Sequence, residues 1–522
     1  MKGISAALEQ TVEERSPSVI PKRILPDIGL FVGSGLYLYF NLFTLTGTPY
    51  LLDGDQVFFW VYAQRLLNGE HVYRDFFQFT PPGTDLVFLS LFKLFGLRIW
   101  ITNSVVWMLG VILCWLCFRL SRSLMPESKA LCAAWLFLVL VFGKTLNATH
   151  HWFSVLAVML AVAILLKERS LAKIAAAGAF LALASFFTQT RGLLAAAGIA
   201  AFLILEWFEK KQPTRQGIGN LGALLLSFAA TWTCLSSYWI AIMGIHGLLA
   251  FQITSAHRYV IHGWTVSSLG IPQDDLTWSR LLIASQYLFV YLLLPFVYAI
   301  CAWKCWSRRG ESLFLERERI LLLTFTGSAM MLEVVQALNW VRVYCVAIPA
   351  VILFVWLLRK HGKRQPAVAA VMWLCIVLLA CHQIASRHHK QSAIVHLPGG
   401  TVATIPAKAG KLEWLVQRTR PNDFFFQSGW PGLYLPLQLR NPIFIDDLDP
   451  RGVTSPEYVD SGMRQLEAKA VRYILWSPRL DSPSLNKVDN HLTKFHEYLE
   501  THYKQVHSFP DADQLWERRS GQ

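Results

Sequence analysis

The sequence predicts an all-α polytopic membrane protein of about 11–13 transmembrane helices, followed by a small C-terminal soluble α/β domain. Three observations predict it. Of 522 residues, 54% are hydrophobic and 16% charged, with a mean hydropathy of +0.38; a soluble domain carries charge on about a quarter of its residues. Apolar runs recur from Ile28 to Ala385, many approaching the roughly 20 residues a helix needs to cross a bilayer. After Arg387 the long apolar runs stop and short strand and helix patterns take over.

In chain order, a polar tail over 1–23 has mixed charge and no small-residue cleavage site after it, so it reads as cytoplasmic rather than as a cleaved signal. Spans are expected near 25–47, 98–120, 128–145, 152–166, 171–188, 192–208, 218–243, 283–303, 320–339, 343–358 and 366–386, making 24–386 the transmembrane domain. The stretch 83–96 is apolar but short, and counting it as a full span sets the later loops against their charges; it is expected to be a short or re-entrant helix. Basic tracts fall between spans, as in Lys22-Arg23, Arg119/Arg122, Lys167/Arg169, Lys210-Lys211 and Lys304/Arg308-Arg309, which the positive-inside rule places in the cytoplasm. The loops 48–82, 144–151, 188–191, 244–282 and 339–342, with everything after Arg387, then face outward from a plasma (inner) membrane.

In the outer region 387–522, Phe424–Gln427, Ile443–Ile445 and Val471–Trp476 read as buried strands, and 456–469 and 486–503 as helices. The formal charge of +14 does not imply nucleic acid, because the excess sits in loops too short for a binding face. All nine cysteines lie in or beside apolar segments, so a disulfide framework is not indicated, and Cys301/Cys305 have no His partner nearby for zinc.

The informative segment is the first outer loop, from Asp53 to Gly83. Asp53 and Asp55 stand past the first span, and the apolar residues from Val57 to Leu67 suit a helix lying on the membrane surface and ended by Gly69. Asp75 follows, and Pro81-Pro82 turns the chain back toward the bilayer. Carboxylates are thus placed at headgroup level.

Asp55, Leu67-Asn-Gly69, Val72-Tyr-Arg-Asp75, Pro81-Pro82 and Phe95-Gly96 together resemble the first outer loop of GT-C class glycosyltransferases. These are the protein O-mannosyltransferases, the lipid A aminoarabinose transferases and related bacterial enzymes of lipopolysaccharide and cell-envelope glycan assembly. The resemblance covers 53–96 and implies transfer of a hexosyl or pentosyl group, with inversion favoured, from a polyprenyl-phosphate donor entering from the bilayer. The acceptor would be a glycan, lipid or protein hydroxyl on the outer face. It implies Asp55 as catalytic base. Two departures stand out: the acid following in many relatives is Gln56 here, and the Lys often found before Pro-Pro is Thr80, which removes a contact expected for the lipid phosphate.

The chemistry needs a base for the acceptor hydroxyl and cations for the departing phosphate. Asp53 has three readings: orienting Asp55, raising its pKa, or completing an Asp-x-Asp site for a divalent cation. Asp75 either binds sugar hydroxyls or caps a helix. Arg191 and Arg342 are the candidate phosphate ligands, with Arg74 a third and weaker one and Tyr344, close to Arg342, a further substrate contact; for Arg191 and Arg342 the alternative is anchoring of the helix by snorkelling, the commoner fate of an Arg at the interface. Glu333, inside an apolar helix, calls for a partner, with Arg342 the nearest choice. His150-His151 and His257-Arg258 are expected to be solvated at the interface, Asp274-Asp275 to form a turn, and Asn147-Ala-Thr149 fits a glycosylation sequon at a helix end. A polytopic transporter or lipid flippase is the alternative reading, and a scaffold subunit a third. Transporters show internal repeats and several buried charges, which this sequence lacks, and a scaffold leaves the acid-rich loop unexplained.

Overall fold

The computed structural model describes residues 25–519 apart from 79, 168, 264–277, 308–313, 337–339, 359–364, 450–453 and 482–490. Helices occupy every position where a span was expected. They are α1 (Leu25–Leu42), α4 (Ile99–Arg122), α5 (Glu127–Leu136), α7 (His150–Leu165), α8 (Leu171–Phe187), α9 (Gln189–Glu209), α10 (Thr214–Gly263), α11 (Trp278–Ser307), α12 (Phe314–Gln336), α14 (Ala347–Leu358) and α15 (Gln365–Lys390). Between them come α2 (Gln56–Leu67), α3 (Gly83–Phe95), α6 (Gly143–Thr145, joined to α5 by a π-helical turn at Phe137–Phe142) and α13 (Trp340–Cys345). Among the described residues, five helices are long and apolar enough to cross a membrane, and four shorter apolar helices accompany them.

Local sequence explains the breaks. Gly96 takes φ 77° and ends α3, while Gly244 takes φ 72° and kinks α10 in mid-course, both conformations that cost an L side chain dearly. Ser170 caps α8 by accepting from the Lys173 N–H.

The two ends of the bundle differ. At one end the basic tracts meet acids on neighbouring helices: Arg122 with Asp27 at 3.4 Å, Arg169 with Glu206 and with Glu318 at 3.0 Å, and Arg317 with Glu209 at 2.7 Å. All these contacts join loop ends that the charge pattern groups together. The first loop, the 144–151 turn, the start of α9, α13 and the C-terminal region gather at the other end.

That C-terminal region holds a hairpin, β1 (Ala393–Leu397) with β2 (Gly400–Thr404), then α16 (Pro406–Val416), β3 (Phe425–Gln427), α17 (Tyr434–Leu437), α18 (Pro456–Ala468), β4 (Tyr473–Trp476), α19 (His491–His502), β5 (Tyr503–Ser508) and β6 (Gln514–Arg518). The larger sheet runs β3-β4-β6-β5, parallel between β3 and β4 and antiparallel elsewhere. Two sequence expectations change. Residues 443–445 form no strand, because their backbone serves the first loop: the Ile443 carbonyl accepts from Arg65 at 2.9 Å and the Phe444 carbonyl from the Phe77 N–H at 2.8 Å. And α2 does not lie on a surface. Val57, Phe59, Trp60, Val61, Tyr62, Ala63, Gln64 and Arg65 are all buried, since the C-terminal unit covers the face that α3 leaves open. A helix with so few polar positions lacks a solvated face, and its Gln64 and Arg65 are met by backbone and side-chain partners of the C-terminal unit.

Candidate functional site

The site grows from the turn before α2. The chain enters it paired with the C-terminal hairpin: the Leu51 N–H donates to the Ala403 carbonyl at 2.8 Å and the Ala403 N–H to Pro49 at 2.9 Å. Gly54, at φ 86°, reverses the backbone between the two acids. The reversal sends them to different surroundings. Asp53 is exposed; its Oδ1 accepts from the Gly54 N–H at 2.9 Å and its Oδ2 pairs with Lys408 at 2.7 Å. Asp55 occupies the N-cap position of α2 but makes no capping hydrogen bond, and its side chain lines a cavity.

Several other segments contribute to that cavity. Phe58, Phe59 and Tyr62 come from α2, His150 and His151 from the start of α7, and Arg342 from α13. The C-terminal unit supplies Trp430, Asp446, Asp447, Asp449 and Tyr458. Burial pushes the Asp55 carboxyl above its ordinary value, and the Arg342 charge pulls it part of the way back. A carboxylate raised by desolvation and faced by a guanidinium suits proton transfer beside a developing anion.

Gln56, where relatives in the resembling loops carry an acid, works as a brace. Its amide nitrogen donates to the Asp53 carbonyl at 2.8 Å, and its Oε1 accepts from the Ala148 N–H at 3.1 Å. Thr80, at the expected Lys position, lines the cavity wall as an uncharged group.

The remaining candidates lie elsewhere. Arg74 and Asp75 pair with each other at 2.8 Å in an exposed loop, and Asp75 Oδ2 also accepts from the His71 N–H at 2.8 Å. The Arg74 hydrogen bond holds the Asp75 carboxyl below its ordinary range. Neither residue lines the cavity, and Asp75 caps no helix: the His71 N–H it accepts lies in the loop between α2 and α3. Tyr344 lies two residues beyond Arg342 on α13, outside the lining.

Arg191 does not reach the cavity as a phosphate ligand. It is fully buried, with Nε and Nη2 on Glu333 at 2.9 and 3.0 Å, Nη1 on the His151 carbonyl and Ser154 Oγ, and Nη2 against His151 Nδ1. All five guanidinium N–H groups are thereby engaged. Glu333 accordingly pairs with Arg191 and not with Arg342, since Arg191 approaches from the adjoining start of α9. The expected solvation of His150-His151 also gives way: His150 lines the cavity and His151 is buried against Arg191. Asn147 and Thr149 of the sequon are buried. The side chains of His257 and Arg258, and the pair Asp274-Asp275, lie outside the described residues.

The Asp-x-Asp pair does not fit a two-carboxylate metal site, because Lys408 holds Asp53 on the exposed side while Asp55 turns inward. Among the described residues no three His, Cys, Asp or Glu side chains group so as to hold an ion.

No protein-family model matches the chain, and no curated protein is significantly similar to it in sequence. Its likeness to known proteins is one of shape. The crystal structure of the Archaeoglobus fulgidus oligosaccharyltransferase tethered to an acceptor peptide containing the NVT sequon aligns with 96% of this chain and 74% of its own, at 13% identity and a TM-score of 0.51. The chain shares the fold of this oligosaccharyltransferase, itself a GT-C glycosyltransferase. The archaeal oligosaccharyltransferase AglB from the same organism, in complex with an inhibitory peptide and a dolichol-phosphate, aligns with 95% of this chain and 74% of its own at 12% identity and TM-score 0.48. ArnT from Cupriavidus metallidurans bound to undecaprenyl phosphate aligns with 95% of this chain and 98% of its own at 11% identity and TM-score 0.45.

Proposed function

We propose that the chain is a multi-pass membrane glycosyltransferase that moves a sugar from a polyprenyl-phosphate donor to an acceptor hydroxyl on the outer face of the plasma membrane. The single observation that carries this reading is that Asp55 and Arg342, 287 residues apart in sequence, line one cavity roofed by the C-terminal unit. The likeness of fold to an oligosaccharyltransferase and the resemblance of the first loop to GT-C enzymes point the same way.

In this reading the acceptor oxygen attacks the anomeric carbon as the bond from that carbon to the phosphate oxygen breaks. Asp55 receives the hydroxyl proton, and the electron pair leaves with the lipid phosphate, whose charge Arg342 offsets. Attack opposite the leaving group inverts the anomeric centre. Asp53 and Gln56 act at one remove, fixing the turn that aims Asp55.

Membranes containing the chain, incubated with labelled polyprenyl-phosphate sugars, test the proposal. The wild-type chain is expected to transfer label, and Asp55→Asn to lose about 10²–10⁴-fold of the rate, the usual worth of a general base. Unchanged transfer in Asp55→Asn would remove Asp55 from the reaction.

A further inference from the structure

The C-terminal unit brings to the cavity a carboxylate that is only half used. Asp446 Oδ1 accepts from Arg65 Nη1 at 2.9 Å and from Asn441 Nδ2 at 2.6 Å. Its other oxygen, Oδ2, is buried and has no hydrogen-bond partner among the described residues, and the residue belongs to the cavity lining. A buried carboxylate oxygen without a donor is costly, and proteins keep such a group where a ligand supplies the donor.

What else lines the cavity narrows the ligand. Asp447 is the next residue on the same wall. Trp430, 44% exposed, stands edge-to-face on Phe58 with ring centroids 4.9 Å apart, and Tyr458 lies 5.5 Å from Phe77. Aromatic faces present flat apolar surface, and carboxylates present only acceptors. Together they match a ring whose hydroxyls are all donors and whose faces carry C–H groups. A phosphate would be repelled by this wall, and an aliphatic chain would leave Asp446 Oδ2 without a donor.

Building on the transferase reading, we propose that the wall formed by Trp430, Asp446, Asp447 and Tyr458 is a saccharide subsite that takes a sugar ring of a glycan acceptor, with a hydroxyl donating to Asp446 Oδ2. The same carboxylate reaches Arg65 in α2, so a sugar seated there is read by the helix whose first turn carries Asp55.

The test uses the full chain in phosphatidylethanolamine/phosphatidylglycerol nanodiscs, with no donor present. The probes are defined hexose, heptose and N-acetylhexosamine oligosaccharides, alongside a Ser/Thr-containing peptide, read by saturation-transfer NMR. At least one oligosaccharide is expected to bind, and Asp446→Asn and Trp430→Ala each to weaken it about tenfold or more. Should Asp446→Asn fail to fold through its Arg65 contact, Trp430→Ala and Asp447→Asn carry the same expectation. Binding of the peptide alone, binding of nothing, or saccharide binding indifferent to these variants overturns the subsite. Because donor is absent, glycan binding by a chain that transfers no sugar would sink the transferase reading and leave the subsite standing.

Discussion

Arg191 clamps Glu333 inside the bundle with two hydrogen bonds, Nε to Oε2 at 2.9 Å and Nη2 to Oε1 at 3.0 Å. Both side chains are sealed from solvent, at 0% and 4% exposure. Removing one partner of such a pair strands the other charge, which costs about 3–5 kcal/mol. Arg191→Ala is therefore expected to lower the unfolding temperature of the detergent-purified protein sharply. Arg191→Lys should recover little, since an ammonium cannot reproduce the guanidinium fork. Replacing both residues by Leu should cost less than Arg191→Ala alone, and a double variant less stable than the single one would contradict this account.

Arg65 plays the corresponding part between α2 and the C-terminal unit. It donates to Glu70 at 2.7 Å, to Asp446 and the Ile443 carbonyl at 2.9 Å, and to the Asp75 carbonyl at 3.1 Å. Arg65→Met keeps an apolar side chain of similar length but removes the guanidinium that stands 4.8 Å from the Phe76 ring centroid, strips these bonds away and leaves Asp446 without its cation. Hydrogen exchange is expected to rise in 441–446 and in the first loop together. A rise confined to either segment would show that the two are not coupled through this side chain.

The proposed base sets a pH dependence. Asp55 works only when ionised, and burial raises its pKa while Arg342 lowers it. The acid limb of kcat/KM is thus expected to lie above the ordinary aspartate range, with activity lost as pH falls through it. Arg342→Gln removes the lowering influence, so the limb should move to still higher pH, in addition to the loss of phosphate stabilisation. A limb that stays in place or moves down in Arg342→Gln would separate the two residues electrostatically.

The helices were legible because a long apolar run leaves few structural outcomes, and helices stand at the positions expected from Leu25 to Lys390, five of them long and apolar enough to cross a membrane among the described residues. Asp55 was legible as an acid at a loop with a recognisable order of residues. What the first loop packs against was not. The Asp446-Asp447-Leu-Asp449 run reads locally as a turn, and only the fold brings it 391 residues back to Asp55. The partner of Glu333 was missed for the same reason: Arg342 is near in sequence, whereas Arg191 is near in space. The burial of α2 left one usable sign, since only Gln56, Gln64 and Arg65 interrupt an otherwise apolar helix, too few for a solvated face.

The seam between α9 and α12 offers a test that does not involve the reaction. Arg191 and Glu333 pin one end, and Arg169 bridges Glu206 and Glu318 at the other, so the two helices run antiparallel. Between them sits Gly198, seven residues along α9 from Arg191 and hence on the same face. A Cβ at Gly198 would stand 2.7 Å from the Phe325 carbonyl oxygen and 2.8 Å from Ala329 Cβ. Neither neighbour is a flexible side-chain tip, so the helices themselves must part, as in membrane seams that depend on small residues. Gly198→Ala is expected to destabilise the protein by about 1–3 kcal/mol, the usual cost of overpacking. Gly222, on α10, meets nothing within 4 Å, and Gly222→Ala should leave stability unchanged or slightly improve it through helix propensity. Equal effects of the two substitutions in a detergent unfolding assay would mean that α9 and α12 are not held as closely as this seam requires.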